Sequence, residues 1–166
     1  FMDNVIDILK SRGLIEGMTS PELPRLLERP AVVYCGFDPT QSSLQAGNLV
    51  AILILAHFQR CGHRVIALVG GATGMIGDPS GKEHERTLLG AEDVRRNAEG
   101  IRENLARFLD FKHPTAPAMI VNNHDWLGKF SYLEFLRDVG KHFRMGTMLG
   151  RESVRARLAS ASGMSY

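Results

Sequence analysis

Apolar positions in this chain follow three different rhythms, and each predicts a different element. Val5, Ile6, Ile8 and Leu9 recur at helical spacing within Asp3 to Lys10 and stop before Gly13, so a short helix is expected there. Ser20 followed by Pro21 reads as an N-cap and first helical position of a second helix running through Leu27. Ala31 to Phe37 is β-branched and aromatic and is halted by Asp38-Pro39-Thr40, the signature of a buried strand and a turn. From Gly47 to about Cys61 the residues are apolar almost all round, as in a helix packed between a sheet and another layer, and Gly62 ends it. Val65 to Val69 is apolar without alternation, as a parallel strand covered on both faces would be. Strand, helix and strand in this order make a βαβ unit.

Gly70 to Gly81 carries five glycines in twelve residues and is expected to be irregular. Ala91 to Phe111 reads as one long amphipathic helix with Val94, Ile101, Leu105, Phe108 and Leu109 inward. Ala118 to Val121 predicts a third strand. Ser131 and Glu134 have capping-box spacing for a helix to about Val139, and another helix is expected from Glu152 to Ala159. The alternation points to an α/β fold, a Rossmann-like parallel sheet of which these strands would form half.

The 166 residues suit one domain with its own core, and 44% of them are apolar and 23% charged. A net charge of +2 argues against a general nucleic-acid coat, while a local basic patch remains allowed. Two cysteines, Cys35 and Cys61, cannot build a disulfide scaffold or a four-cysteine zinc site. The longest apolar run, Leu49 to Ala56, is far short of the roughly 20 residues of a membrane span, so a cytoplasmic setting without a membrane partner is expected. A start on Phe1 points to residues removed upstream.

Ligands of open parallel sheets sit beyond the carboxyl ends of the strands. Two segments fall there, 38–48 and 70–86. In the second, Gly77 to Lys82 resembles a phosphate loop, but the gap between its glycines is too short for a Walker A motif and Glu83 stands where Ser or Thr belongs. What remains is a glycine-rich backbone that a ligand can approach, with cations at Lys82 and Arg86; a solvated linker fits the same residues. In the first, the Thr40 hydroxyl and the start of the Gly47 helix favour an anion, though polar caps on a simple turn would look alike. His57, His63, His84, His113, His124 and His142 show no metal-ligand spacing, and no metal site is expected. Cys35 has no evident base and reads as an inert strand cysteine. Met145 and Met148 read as packing residues.

Several ungapped blocks resemble the bacterial-type tyrosyl-tRNA synthetases, in one order over nearly the whole chain. They include Tyr34 to Thr40, Ser43 to Leu49, Ala67 to Gly74, Ile76 to Lys82, Glu85 to Thr87, Arg107 to Phe111, Asn122-Asn123 with Trp126, and Phe135 to Phe143. The resemblance implies the first part of a class I catalytic domain that couples tyrosine to ATP, with Mg²⁺, and passes it to tRNA(Tyr). It implies tyrosine contacts at Tyr34, Leu68, Thr73, Asp78 and Asn123, and nucleotide contacts at Cys35, Gly36, Asp38, Pro39, Thr40, Gly47 and Asn48. Thr40 and Gln45 would meet the pyrophosphate, with Lys82 and Arg86 closing over it. A hydroxyl and a carboxylate around the substrate phenol would reject Phe, and Tyr34 supplies one of that pair.

One departure matters. The family's His-x-Gly-His signature reads Gln45-Ala46-Gly47-Asn48 here, and a Gln amide donates a hydrogen bond but never carries charge. Lys141, Arg144, Arg151, Arg155 and Arg157 face a single acid, Glu152, in a stretch that is either a solvated surface or a tRNA patch centred on Arg151 and Arg155. The resemblance implies a homodimer contact through Trp126 to Tyr166, whose Phe130, Tyr132, Phe135, Leu136 and Phe143 could equally be internal core. The expected division is an N-terminal helical segment (1–30), a Rossmann-like half-domain (31–122) and an inserted helical segment (123–166). The other function class is a non-catalytic RNA-binding or dimerising remnant.

Overall fold

The computed structural model describes residues 4–39, 46–76 and 90–159. Helix α1, Val5–Ser11, opens where the Asn4 side chain accepts from the Ile6 N–H, and Gly13 turns the chain away at φ 66°. Helix α2, Leu23–Leu26, is a single turn. It begins later than Ser20-Pro21 suggests: Ser20 Oγ accepts from the Glu22 N–H in a turn, and Pro24 rather than Pro21 takes the first helical turn.

Three parallel strands follow, β1 (Val32–Phe37), β2 (Arg64–Val69) and β3 (Met119–Asn122), in the order β1-β2-β3. Helix α3, Ala46–Arg60, joins the first two, and Gly62 closes it at φ 78°. Its buried Ile52, Leu55 and Ala56 join the sheet core, while Ile54 and Phe58 meet Val5, Ile6 and Leu9 of α1. The all-round apolar composition of α3 therefore has its explanation: the helix lies between sheet and helix.

The pairing register places Val33, Val65 and Cys35, Ala67, Ile120 in lateral rows. Together with Phe37 and Val69 they form the face packed beneath α3 and α5. The opposite face carries Val32, Tyr34, Ile66, Leu68, Met119 and Val121, and Tyr34 there is 72% exposed. Burial of β2 alternates along its length, so the expectation of two covered faces is corrected. Its outer residues, Ile66 and Leu68, are apolar yet only half-buried, because no described element covers them.

The glycine-rich segment is also corrected up to Ile76, its remainder from Gly77 to Gly81 lying outside the described residues. Gly71–Ile76 is a helix, α4, and the glycines serve close packing: a Cβ on Gly71 would strike the Asn122 side chain, and one on Gly74 would come 3.3 Å from Pro39 Cγ. Helix α5 spans Ala91–Leu105, shorter than expected. The chain then tightens into a turn in which the N–H groups of Phe108 and Leu109 both reach Leu105 O. Leu109 is thereby carried into the core, while Phe108 points outward at 40% exposure.

Two buried polar side chains tie the layers together. Gln59 Nε2 donates to Asp110 O (2.7 Å) and Ala116 O (2.9 Å), and its Oε1 accepts from the Asp110 N–H. His63, 1% exposed, accepts the Ala31 N–H at Nδ1, and its Nε2 has no hydrogen-bond partner among the described residues. Phe58 stands edge-on to that ring at 5.5 Å. Burial lowers the His63 pKa from the ordinary 6.5.

Beyond β3 the chain is helical, in α6 (His124–Leu127), α7 (Tyr132–Asp138), a 3-10 turn at Gly140–His142, α8 (Met145–Leu149) and α9 (Glu152–Leu158). The α7 capping box forms in both directions, Ser131 Oγ accepting from Glu134 N–H and Glu134 accepting from Ser131 N–H. Phe130, Tyr132, Phe135 and Phe143 are exposed, so they are not internal core, and Met145 and Met148 are exposed rather than packed.

Candidate active site

Each strand ends at the same edge of the sheet, where β1 delivers Asp38-Pro39, β2 delivers Gly70-Gly71 and β3 delivers Asn122-Asn123. The ladder runs on one step past the strands, since Gly70 N–H donates to Phe37 O and Asn123 N–H donates to Val69 O, both at 3.0 Å. The strand ends are thus held at fixed spacing. A groove of about 520 Å³ between α1, α3 and residues 14–18 lies elsewhere and shares none of these residues.

Asn123 is buried and works at this edge with both ends of its amide. Its Oδ1 accepts from the Ala72 N–H at 2.7 Å, in the first turn of α4, and its Nδ2 reaches Thr73 Oγ1 at 3.4 Å. The Thr73 hydroxyl donates to Gly70 O at 3.1 Å. Two of the expected tyrosine-contacting residues, Thr73 and Asn123, are therefore in one hydrogen-bonded unit. Tyr34 and Leu68 share the open sheet face with Gly36, whose strand partner is Leu68.

Alternation along β1 sends Cys35 to the other face, where it packs half-buried against the core beside α3. Burial pushes its thiol pKa up, away from the thiolate a nucleophile needs. A ligand touching both Tyr34 and Cys35 must reach around β1, past Gly36. Asn48 sits in the first turn of α3, and Asp38 is exposed just beyond β1.

Gly36 and Gly47 stand apart from the glycines of α4. A Cβ on either would meet nothing within 4 Å, and neither has a positive φ. No described contact requires glycine at these two places, and within a helix or strand it weakens the element by about 0.5–1 kcal/mol. An unhindered backbone at the strand end and at the start of α3 is what close approach of a ligand demands.

Thr40, Gln45, Asp78, Lys82 and Arg86 lie outside the described residues. Arg151 and Arg155 are exposed at the start of α9, about the far end of the helical segment from the strand ends in sequence, with Lys141 and Arg144 exposed before them. Among the described residues, no three His, Cys, Asp or Glu side chains gather as a metal site, and no helix is long and apolar enough to cross a membrane.

One residue at this edge escapes a reading of apolar spacing. Asn97, 7% exposed on α5, donates from Nδ2 to Pro39 O at 2.8 Å. It falls three residues after Val94 and four before Ile101, on the inward stripe. A polar residue inside an apolar stripe was the available signal.

The chain is similar to known proteins over almost its whole length. It is 57% identical over 165 residues to a tyrosine–tRNA ligase of Protochlamydia amoebophila, covering 99% of this chain and 39% of that protein. To the tyrosine–tRNA ligase of Rhodopirellula baltica it is 50% identical over 166 residues, covering 99% and 38%. A C-terminally truncated mitochondrial tyrosyl-tRNA synthetase of Aspergillus nidulans superposes with a TM-score of 0.82 at 31% identity, over 99% of this chain and 49% of that one. This chain thus spans about two-fifths of the length of those curated relatives. The sequence profile of the class I tRNA synthetases (W and Y) matches residues 26–166. A match that begins just before the first strand and takes in every strand and the helical segment leaves one assignment: the chain belongs to the class I tRNA synthetases of the W and Y group.

Proposed function

We propose that this chain is part of a tyrosine–tRNA ligase, supplying the first half of the site that joins tyrosine to ATP. The observation that carries this reading is the identity of 50–57% with proteins of that name over 165 to 166 residues, a span that includes the strand ends where Thr73, Asn123, Gly36 and Gly47 lie. In the reaction, a tyrosine carboxylate oxygen attacks the α-phosphorus of MgATP and the bond to the bridging oxygen breaks. Pyrophosphate leaves, and tyrosine then passes from the adenylate to the terminal ribose of tRNA(Tyr). No group on the enzyme forms a covalent bond; positioning and charge stabilisation suffice.

In this reading Tyr34 bonds the substrate phenol, Asp78 pairs with its ammonium, and Leu68, Thr73 and Asn123 line the pocket. Gly36, Gly47 and Asp38 let the nucleotide lie against backbone, with Cys35 and Asn48 toward the ribose. Thr40 and Gln45 face the pyrophosphate, and Lys82 and Arg86 close over it. Residues 1–30 form an N-terminal support, 31–122 the nucleotide and tyrosine half-domain, and 123–166 a helical insertion. Trp126, Tyr132 and Phe143 of that insertion meet a second copy across a two-fold axis, and Arg151 and Arg155 face tRNA phosphates, which implies binding that weakens steeply with salt. The setting is the bacterial cytoplasm.

The test is tyrosine-dependent exchange of labelled pyrophosphate into ATP, with the intact mass of the source polypeptide measured beside it. A mass well above 18.4 kDa with exchange supports the reading. Exchange absent from a polypeptide of full relative length overturns it in favour of a non-catalytic RNA-binding or dimerising remnant.

A further inference from the structure

Pro39 is the last described residue before the segment that carries Thr40 and Gln45, and it is fully buried. Its ring is enclosed at the end of β2 and by α4: a Cβ on Gly70 would lie 3.8 Å from Pro39 Cδ, and one on Gly74 would lie 3.3 Å from Pro39 Cγ. Its carbonyl cannot extend the β1–β2 ladder, because the next donor along β2, the Ala72 N–H, is turned into α4 and given to Asn123 Oδ1. A buried carbonyl needs a donor, and the structure supplies one from 58 residues away, the Asn97 amide at 2.8 Å. Asn97 occupies an apolar stripe where an aliphatic residue would pack against Val94 and Ile101. Among the described residues, the partner that accounts for an amide there is Pro39.

We propose that Asn97 is a positioning residue: by fixing the Pro39 carbonyl to α5 it holds the Asp38-Pro39 end of β1, which the proposed function sets against ATP. This rests on the function proposed above. On the tyrosine side α4 packs on Pro39 as well, but its hydrogen bonds come from Asn123, on Ala72 and Thr73, and none of them is made by Asn97. The two halves of the site should therefore respond differently to one substitution.

The experiment uses the full-length protein and Asn97→Asp, which keeps shape but replaces the N–H donor by a carboxylate. Pyrophosphate exchange should lose about 10- to 100-fold in kcat/KM for ATP, since displacements of the order of an ångström carry such penalties. Tyrosine affinity measured by equilibrium dialysis should stay within about two-fold. Asn97→Ser, which restores a shorter donor, should recover part of the loss. Equal losses on both substrates, or no loss on ATP, would overturn the proposal while leaving the ligase reading intact. If the unsubstituted protein performs no exchange, the ligase reading fails instead. Hydrogen–deuterium exchange of residues 38–48 then decides the matter: faster exchange in Asn97→Asp with β2 unchanged supports the clasp, and identical exchange refutes it.

Discussion

At the scale of single residues, two side chains make opposite demands on charge. On the proposed function Gln45 faces departing pyrophosphate where the resemblance implies a histidine able to hold a proton, and a neutral donor there would stabilise it less by about 1–2 kcal/mol. Gln45→His in the full-length protein is expected to raise the rate of adenylate formation roughly ten-fold. Stopped-flow or exchange rates unchanged by the substitution would show that this position does not meet developing charge. His63, by contrast, must stay neutral. Its Nδ1 accepts a backbone N–H and its Nε2 is buried without a partner among the described residues, so a second proton breaks the bond to Ala31. The folded pKa lies below 6.5, and the unfolded chain therefore binds protons more readily as pH falls. The contribution of His63 to stability is complete above pH 6.5 and is lost as pH drops below it, with a slope up to about 1.4 kcal/mol per pH unit. Denaturation midpoints measured from pH 7.5 to 5 should show this fall. Asn at position 63, which keeps an acceptor and cannot be protonated, should flatten the profile; an unflattened one would assign the fall to other groups.

Elements were legible in the sequence wherever one periodicity served one purpose. The run from Gly47 to Cys61 showed a helix with two buried sides, and α3 has the sheet on one and α1 on the other. Ser131 and Glu134 announced α7 by chemistry alone. Legibility failed at α4, because glycine density reads as conformational freedom while Gly71 and Gly74 are there for clearance against Asn122 and Pro39. It failed again at the end of α5, where spacing cannot tell a further helical turn from the tight turn that buries Leu109 and exposes Phe108. Tertiary partners of polar side chains are invisible to pattern in any case. Gln59 links α3 to both ends of the 110–116 loop through three hydrogen bonds. Gln59→Leu takes the side-chain partner from the Ala116 carbonyl and the Asp110 N–H, while the Asp110 carbonyl keeps the Ala118 N–H, and is expected to destabilise the protein by about 2 kcal/mol or more. Chemical denaturation measures this directly, and a loss under 1 kcal/mol would mean that water replaces the amide.

For the molecule as a whole, the candidate site was legible only in part. The strand ends could be placed from the βαβ alternation, and the hydrogen-bonded pair of Thr73 and Asn123 agrees with that placement. Thr40, Gln45, Asp78, Lys82 and Arg86 belong to segments outside the described residues, so their roles rest on resemblance alone. The helical segment after β3 leaves Tyr132 and Phe143 at 67% and 60% exposure, an arrangement suited to a second copy. If the proposed dimer forms through this face, Tyr132→Asp with Phe143→Asp is expected to turn it to a monomer in sedimentation at micromolar concentration. A mass unchanged by the two substitutions would overturn the proposed contact.

The order β1-β2-β3 has a consequence for how the protein is made. Each strand pairs with the one synthesised just before it, so the sheet grows in the sequence in which the chain leaves the ribosome. Among the described strands, the outer edge of β1 is the oldest surface, and none pairs with it. Its sequence, Val-Val-Tyr-Cys-Gly-Phe, has no charge and no proline to discourage pairing with another molecule. During translation, then, the segment richest in sheet-forming residues waits longest for a neighbour on that side, and a polysome crowded with such chains is where they would first stick to one another.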